Sequence, residues 1–163
     1  MASISSTTAE PGRRVARRRQ TIEEALDNAV AIMEEVGVGG LSMSEIARRL
    51  GMRQPSLYKY FASLHAVYDA LFARGLARSD AAVQAATAPQ PPGVARLRAG
   101  AKAWNRWAME NPALTQLLIW RPVPGFAPTE ETFAGSIRQV RQIGEEFVLP
   151  DLLTDLGKRH HDA

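Results

Sequence analysis

The 163-residue chain contains no cysteine. Structural disulfides, thiolate metal sites and cysteine nucleophiles are therefore excluded from its chemistry. It also lacks any run of about 18 apolar residues, and the opening stretch MASISSTTAEPG has no apolar signal core. The expectation is a cytoplasmic chain that neither spans a membrane nor carries a signal peptide. Glycine-rich phosphate loops, a nucleophile elbow and an HExxH metal site are all missing. The lone internal histidine, His65, has no evident catalytic partner. His160 and His161 stand beside Lys158 and Arg159 in a charged stretch that reads as solvated rather than metal-bound. The adjacent pairs Glu34 with Glu35 and Glu145 with Glu146 diverge on a helix instead of converging on one substrate. An enzyme, a cofactor and a metal site are thus not expected.

Excess charge is also scarce: Lys and Arg number 20 against 17 Asp and Glu, a net charge of +3. Charge alone identifies no partner. Its placement says more, because Arg13, Arg14, Arg17, Arg18 and Arg19 form a run after the small polar opening stretch. Two readings fit that run: an arm lying on DNA phosphates or in a minor groove, and a solvated tail that aids solubility. The length suits one domain, or one plus a small appendage, with a real hydrophobic core.

The most informative residues are Gly40 to Phe61, GLSMSEIARRLGMRQPSLYKYF. Ser42 followed by Glu45 is a capping box, so a helix begins at Met43. Met43, Ile46, Ala47 and Leu50 recur at helical spacing as one buried stripe. Gly51 ends the helix in the left-handed conformation, and Pro55, suited to a first helical turn, restarts one. In this second helix Leu57 and Phe61 must face inward. Gln54, Pro55, Ser56, Tyr58 and Lys59 are left mostly outside. Such a surface suits a DNA major groove, which admits a helix presented by its N-terminal residues. Between Ile46 and Tyr60 lie Arg48, Arg49, Arg53 and Lys59 with no acid, which predicts an electropositive face.

At these residues the chain resembles the tetracycline-repressor (TetR) family of transcription regulators. The resemblance is carried by Leu41 to Leu71, including the spacing Leu57-Tyr58-x-x-Phe61 after the Gly51 turn and a new helix starting at Ser63, and by the amphipathic helix before it. It implies that Gln54, Pro55 and Tyr58 contact operator bases. Ser42, Ser56, Lys59 and Tyr60 fall where the family contacts phosphates or supports the recognition helix, and Arg53 lies in the turn between the helices. Position 64, often a phosphate-contacting lysine in the family, is Leu64 here.

The predicted fold is all-α: an N-terminal three-helix helix-turn-helix domain joined by a long helix to a helical effector and dimerisation domain. Residues 1–20 form a disordered basic arm, 21–66 the DNA-binding domain, 67–150 the effector and dimerisation domain, and 151–163 a tail. The first helix starts with a capping box at Thr21 and Glu24 and buries Ile22, Ala25, Leu26, Ala29, Met33 and Val36. Ser63 caps the long helix, whose stripe is Leu64, Val67, Tyr68, Leu71, Phe72 and Leu76. Beyond the break at 87–92, Val94, Leu97, Ala101, Trp104 and Ala108 form the next stripe. Pro112 opens a short helix bearing Leu114, Leu117, Leu118 and Trp120. The stretch with Pro122, Pro124 and Pro128 cannot be regular helix. Thr129 caps a last helix that buries Phe133, Ile137, Val140, Phe147 and Val148.

Trp104, Trp107, Trp120 and Phe126 cluster in sequence. Their residue types fit either packed core or an aromatic small-molecule pocket with a few orienting polar groups. The stretch ENPALTQLLIWRPVPGFAPTEETF resembles the effector domain of a TetR subgroup, which implies a small-molecule effector of unknown identity at those four aromatics. The resemblance further implies a homodimer on a palindromic DNA operator. Only Asp151 to Ala163 follow Pro150, shorter than the family's usual pair of dimerisation helices. A family-like module without dimer-dependent DNA recognition therefore stands as the alternative.

Overall fold

The computed structural model describes residues 9–120 and 123–134, and every regular element among them is helical. The helices are α1 (Ala9–Val36), α2 (Met43–Arg49), α3 (Gln54–Leu57), α4 (Leu64–Thr87), α5 (Val94–Glu110) and α6 (Pro112–Trp120), with a 3-10 turn at Val38–Gly40. Residues 130–134 begin a further helix. None of the described helices is long and apolar enough to cross a membrane. The all-α expectation is met. The chain divides into two compact units, Met1–Val67 and Tyr68–Ala163.

In the first unit α1 buries Ala25, Leu26, Ala29, Ile32 and Met33, a stripe at helical spacing. It packs on the 3-10 turn and on α2, and α2 packs on α3. Val38, Leu41, Met43, Ile46, Ala47, Leu57 and Phe61 complete this core. Each large side chain removed from water here contributes about 1.5–3 kcal/mol.

Two expectations for α1 are overturned. The helix begins at Ala9, not at Thr21, so residues 12–20 of the supposed arm are helical. Pro11 falls in the first turn, where its missing N–H is not needed, and the arginines that follow are good helix formers. Thr21 consequently donates its hydroxyl to the Arg17 carbonyl (3.0 Å) as a mid-helix threonine does, and Glu24 accepts from Gln20 Nε2 (2.9 Å). Val36, at the helix end, is 61% exposed, while Ile32 one turn earlier takes the core position.

In the second unit α4 buries Tyr68, Leu71, Phe72 and Val83, and α6 buries Ala113, Leu114 and Leu117. Ser63 caps α4 by accepting from the Ala66 N–H (3.1 Å). Small residues set how closely the helices approach. A β-carbon at Gly75 would stand 3.2 Å from Leu118 Cδ1, and one at Gly100 would stand 3.2 Å from Thr87 Cγ2.

That close approach explains a further correction. The buried residues of α5 are Gly100, which lies against α4, and Trp107, whereas the expected stripe is largely solvent-facing: Val94, Leu97, Ala101 and Trp104 are exposed and Ala108 half-buried. Hydropathy ranks glycine low, yet its missing side chain is what lets the backbone of α5 lie against Val83 and Thr87. Phe133, expected inside, is exposed; Ile137, Val140, Phe147 and Val148 lie outside the described residues, as does the stretch 151–163.

Thr129 caps the helix that begins at residue 130, accepting from the Thr132 N–H (3.3 Å). Asp69 on α4 holds the same end: its carboxylate accepts from Thr129 N (2.8 Å), Thr129 Oγ1 (3.1 Å) and Thr132 Oγ1 (3.1 Å). A carboxylate there satisfies an open donor and complements the helix dipole. Asp69→Ala should therefore destabilise the protein by about 1–2 kcal/mol, read as a lower urea midpoint. Asp69→Asn, which keeps an acceptor, should recover part of that stability.

Candidate nucleic-acid interface

The interface is built from the turn outward. Ser42 Oγ accepts from the Glu45 N–H (3.3 Å) and starts α2. The C-terminus of α2 closes as a Schellman motif, with Gly51 at φ +66°. Its N–H reaches the Arg48 carbonyl (3.1 Å), and the Met52 N–H reaches the Ala47 carbonyl (3.0 Å). Arg53 is the N-cap of α3, and Pro55 sits in its first turn.

α3 is shorter than the sequence suggests. A single α-turn, Gln54–Leu57, continues as a tightened turn in which Lys59 N–H meets the Ser56 carbonyl (3.3 Å) and Tyr60 N–H the Leu57 carbonyl (2.9 Å). The Phe61 N–H returns to the Leu57 carbonyl (3.1 Å), so Leu57 and Phe61 anchor the segment from below. On the outer side Arg53, Gln54, Pro55, Tyr58 and Lys59 are exposed, and Ser42, Ser56 and Tyr60 are half-buried. Gln54 and Tyr58 lie one turn apart on one face, with Gln54 Nε2 donating to Tyr58 Oη at 3.4 Å. Leu64 is half-buried and His65 exposed at the start of α4.

The electropositive face expected from Arg48, Arg49, Arg53 and Lys59 is weakened by two carboxylates. Arg48 donates through Nε and Nη2 to Glu45 (2.7 Å each), and Arg49 Nε donates to the same carboxylate (2.9 Å). Arg49 also spans to α1, where Nη1 and Nη2 make a bidentate pair with Glu35 (2.8 Å for the first). These two arginines thus tie α2 internally and to α1. The carboxylates lie just outside the acid-free window or on another helix, which is why reading along the window overstates the field. Arg53 and Lys59 remain the exposed cations of the reading turn itself.

Hydrogen bonds from Arg48 and then Arg49 hold the Glu45 carboxyl down at about 2, and Arg49 lowers that of Glu35. A depressed carboxyl contributes stability that is present above the unfolded value near 4.5 and is lost as pH falls toward 2. The urea-midpoint difference between wild type and Glu45→Gln should accordingly be constant at neutral pH, shrink below about pH 4.5 and vanish near pH 2. Molar salt should reduce it as well, because the network is solvent-exposed. A difference that grows on acidification would contradict the assignment.

A further contributor comes from α1. Arg18 of α1 donates Nη1 to the Lys59 carbonyl (2.9 Å), and its guanidinium lies 5.2 Å from the Tyr60 ring centroid, a cation–π contact. The sequence did carry a signal: Arg18, Ile22, Ala25 and Ala29 fall on one stripe of a continuous helix.

The four aromatics of the second unit do not share one environment. Trp107 and Phe126 are buried, whereas Trp104 is 38% and Trp120 77% exposed. Phe126 stands on a turn after Gly125 and packs on Tyr68 of α4, ring centroids 5.6 Å apart. Their enclosure as one cavity by all four side chains is thus not what the described residues display.

The family profile described as bacterial regulatory proteins, tetR family, matches residues 25–71. Tetracycline repressor protein class D of Escherichia coli is 38% identical over 56 residues, covering 34% of this chain and 26% of the repressor. The HTH-type transcriptional regulator Rv1816 of Mycobacterium tuberculosis is 32% identical over 141 residues, 78% of this chain and 57% of the regulator. Among solved structures, that of SCO4313 superposes with a TM-score of 0.71 and 26% identity over 80% of this chain and 63% of that one. The chain thus spans about a quarter of the repressor and little more than half of the mycobacterial regulator. The profile match runs through the capped α2, the Gly51 turn, the reading segment and the start of α4, and the chain belongs to the TetR family of bacterial regulatory proteins.

Proposed function

We propose that the chain is a ligand-responsive transcriptional regulator, a repressor that binds a palindromic DNA operator as a homodimer. One observation carries the DNA-reading part: Gln54, Pro55 and Tyr58 are exposed on a turn whose Leu57 and Phe61 are sealed in the core. In a major groove Gln54 pairs with a base edge, Pro55 rests on a thymine methyl, and Tyr58 reaches a base or phosphate. Ser42, Arg53, Ser56 and Lys59 address phosphates, and Tyr60 supports the turn through Arg18. Twofold pairing would set two such turns roughly 34–36 Å apart on successive grooves.

The effector is a small apolar molecule taken up in the second unit beside its buried aromatics, Trp107 and Phe126. α4 supplies the coupling. Tyr68, which packs on Phe126, lies in the second turn of α4, a helix that begins three residues beyond Phe61. An effector that separates Phe126 from Tyr68 shifts the first turns of α4 and with them the reading segment. The coupling is reciprocal, so operator DNA weakens effector binding by the same factor.

A mobility-shift experiment with duplexes selected from a random pool tests the reading. The expected result is a complex of two protomers on an inverted repeat, with affinity falling steeply with salt as counterions are released. A single protomer bound to a half-site would leave DNA recognition standing and remove the dimer. No shift of any duplex at low ionic strength would remove the function altogether.

A further inference from the structure

We propose that the first turns of α1 form a second surface for DNA phosphates: a rigid basic ridge of Arg14, Arg17 and Arg18, joined to the reading turn through Arg18. The inference rests on the DNA-binding reading above and extends it to residues outside the helix-turn-helix.

Three observations carry it. First, α1 is continuous from Ala9, so the arginines are presented by a helix and not by a loose arm. Residues 14, 17 and 18 stand at i, i+3 and i+4, which places them on neighbouring positions of one surface, a rise of about 6 Å from end to end. Second, Arg18 continues, through the half-buried Ile22, the stripe of Ala25 and Ala29 by which α1 packs on its own unit. The packing face of α1 therefore runs on as a cationic face where the core stops. Third, the Arg18 contacts fix where that face lies. Its guanidinium holds the Lys59 carbonyl and the Tyr60 ring, close in sequence to Tyr58, so the ridge starts at the end of the reading turn.

The chemistry favours a polyanion over a membrane. From Pro11 to Ile22 there is no acid, and residues 12–20 are all exposed. Between Arg13 and Arg19 the apolar residues are Val15 and Ala16 alone, too little for the bulky apolar face an interfacial helix needs. Arginine forks on a preformed helix give up little freedom on meeting phosphates. Because phosphates carry no sequence information, the ridge adds affinity without changing base preference.

The test uses the full chain, with a duplex recovered by selection and a scrambled duplex of the same composition. Arg14→Ala combined with Arg17→Ala should weaken both duplexes by the same factor and leave base preference unchanged. It should flatten the plot of log affinity against log salt by about 1.8, roughly 0.9 for each phosphate that the variant no longer neutralises. Arg98→Ala combined with Lys102→Ala, the same change in charge on exposed positions of α5, should leave that slope as it is. Ala16→Pro keeps every arginine but interrupts the helix; it should also weaken both duplexes, while the urea midpoint of the core around Leu57 stays unchanged. A wild-type slope for the double variant, or wild-type affinity for Ala16→Pro, overturns the ridge while the DNA-binding reading stands. A wild type that binds no duplex overturns that reading and the ridge with it.

Discussion

Leu57→Ala is expected to unfold the first unit or leave it marginal, and to abolish binding to every duplex. Leu57 is fully buried, and the Tyr60 and Phe61 amides both bond to its carbonyl. Truncating a leucine at such a site costs about 2–5 kcal/mol, the transfer free energy plus the void left behind. A unit of this size has a total stability of about 3–10 kcal/mol, so the substitution removes a large part of it. Urea unfolding followed by circular dichroism should show a lower midpoint with an unchanged slope. An unchanged midpoint would mean that Leu57 is not the anchor described. Tyr58→Ala is the contrast: at 48% exposure its ring contributes little to the core, so the midpoint should stay put while operator binding falls.

Gln54→Ala should leave the fold intact and weaken the selected operator by about 1–3 kcal/mol, the discrimination of one good bidentate base contact. Gln54 is exposed, and the Tyr58 hydroxyl it reaches at 3.4 Å is a long contact that DNA can displace at little cost. The weakening should be larger on the selected duplex than on a scrambled one, because a base contact gives specificity where a phosphate contact does not. That asymmetry separates Gln54 from Arg14 and Arg17, whose removal acts on both duplexes alike. Equal weakening on the two duplexes would place Gln54 on a phosphate or off the DNA.

Local signals were legible in the sequence where one residue decides one backbone feature. Ser42, Gly51, Ser63, Pro112 and Thr129 mark helix starts and stops that the structure places where the sequence does. Leu57 and Phe61, the large apolar side chains of the reading segment, share its inner side because the Phe61 N–H closes back on the Leu57 carbonyl. Signals that depend on distant partners were not legible. The acid-free window around Arg53 looked uniformly cationic, but Glu35 and Glu45 reach in from outside it and take up Arg48 and Arg49. A Thr-x-x-Glu pattern at Thr21 imitates a cap, although nothing in that motif tests whether the preceding residues are already helical. On α5 the large side chains suggested the wrong inner face, because Gly100 permits a helix approach that hydropathy does not measure. The contact of Arg18 with the reading turn is hidden for a related reason: its partner Lys59 lies 41 residues away in sequence.

One helical turn, anchored by Leu57 and Phe61, presents Gln54 and Tyr58 to bases: that is the central claim. Parallel selection of duplexes from one random pool by wild type and by Gln54→Ala tests it most directly. The expected result is an inverted repeat for wild type, and for the variant the same repeat with base preference relaxed at one position in each half-site. Identical preferences at every position would contradict it.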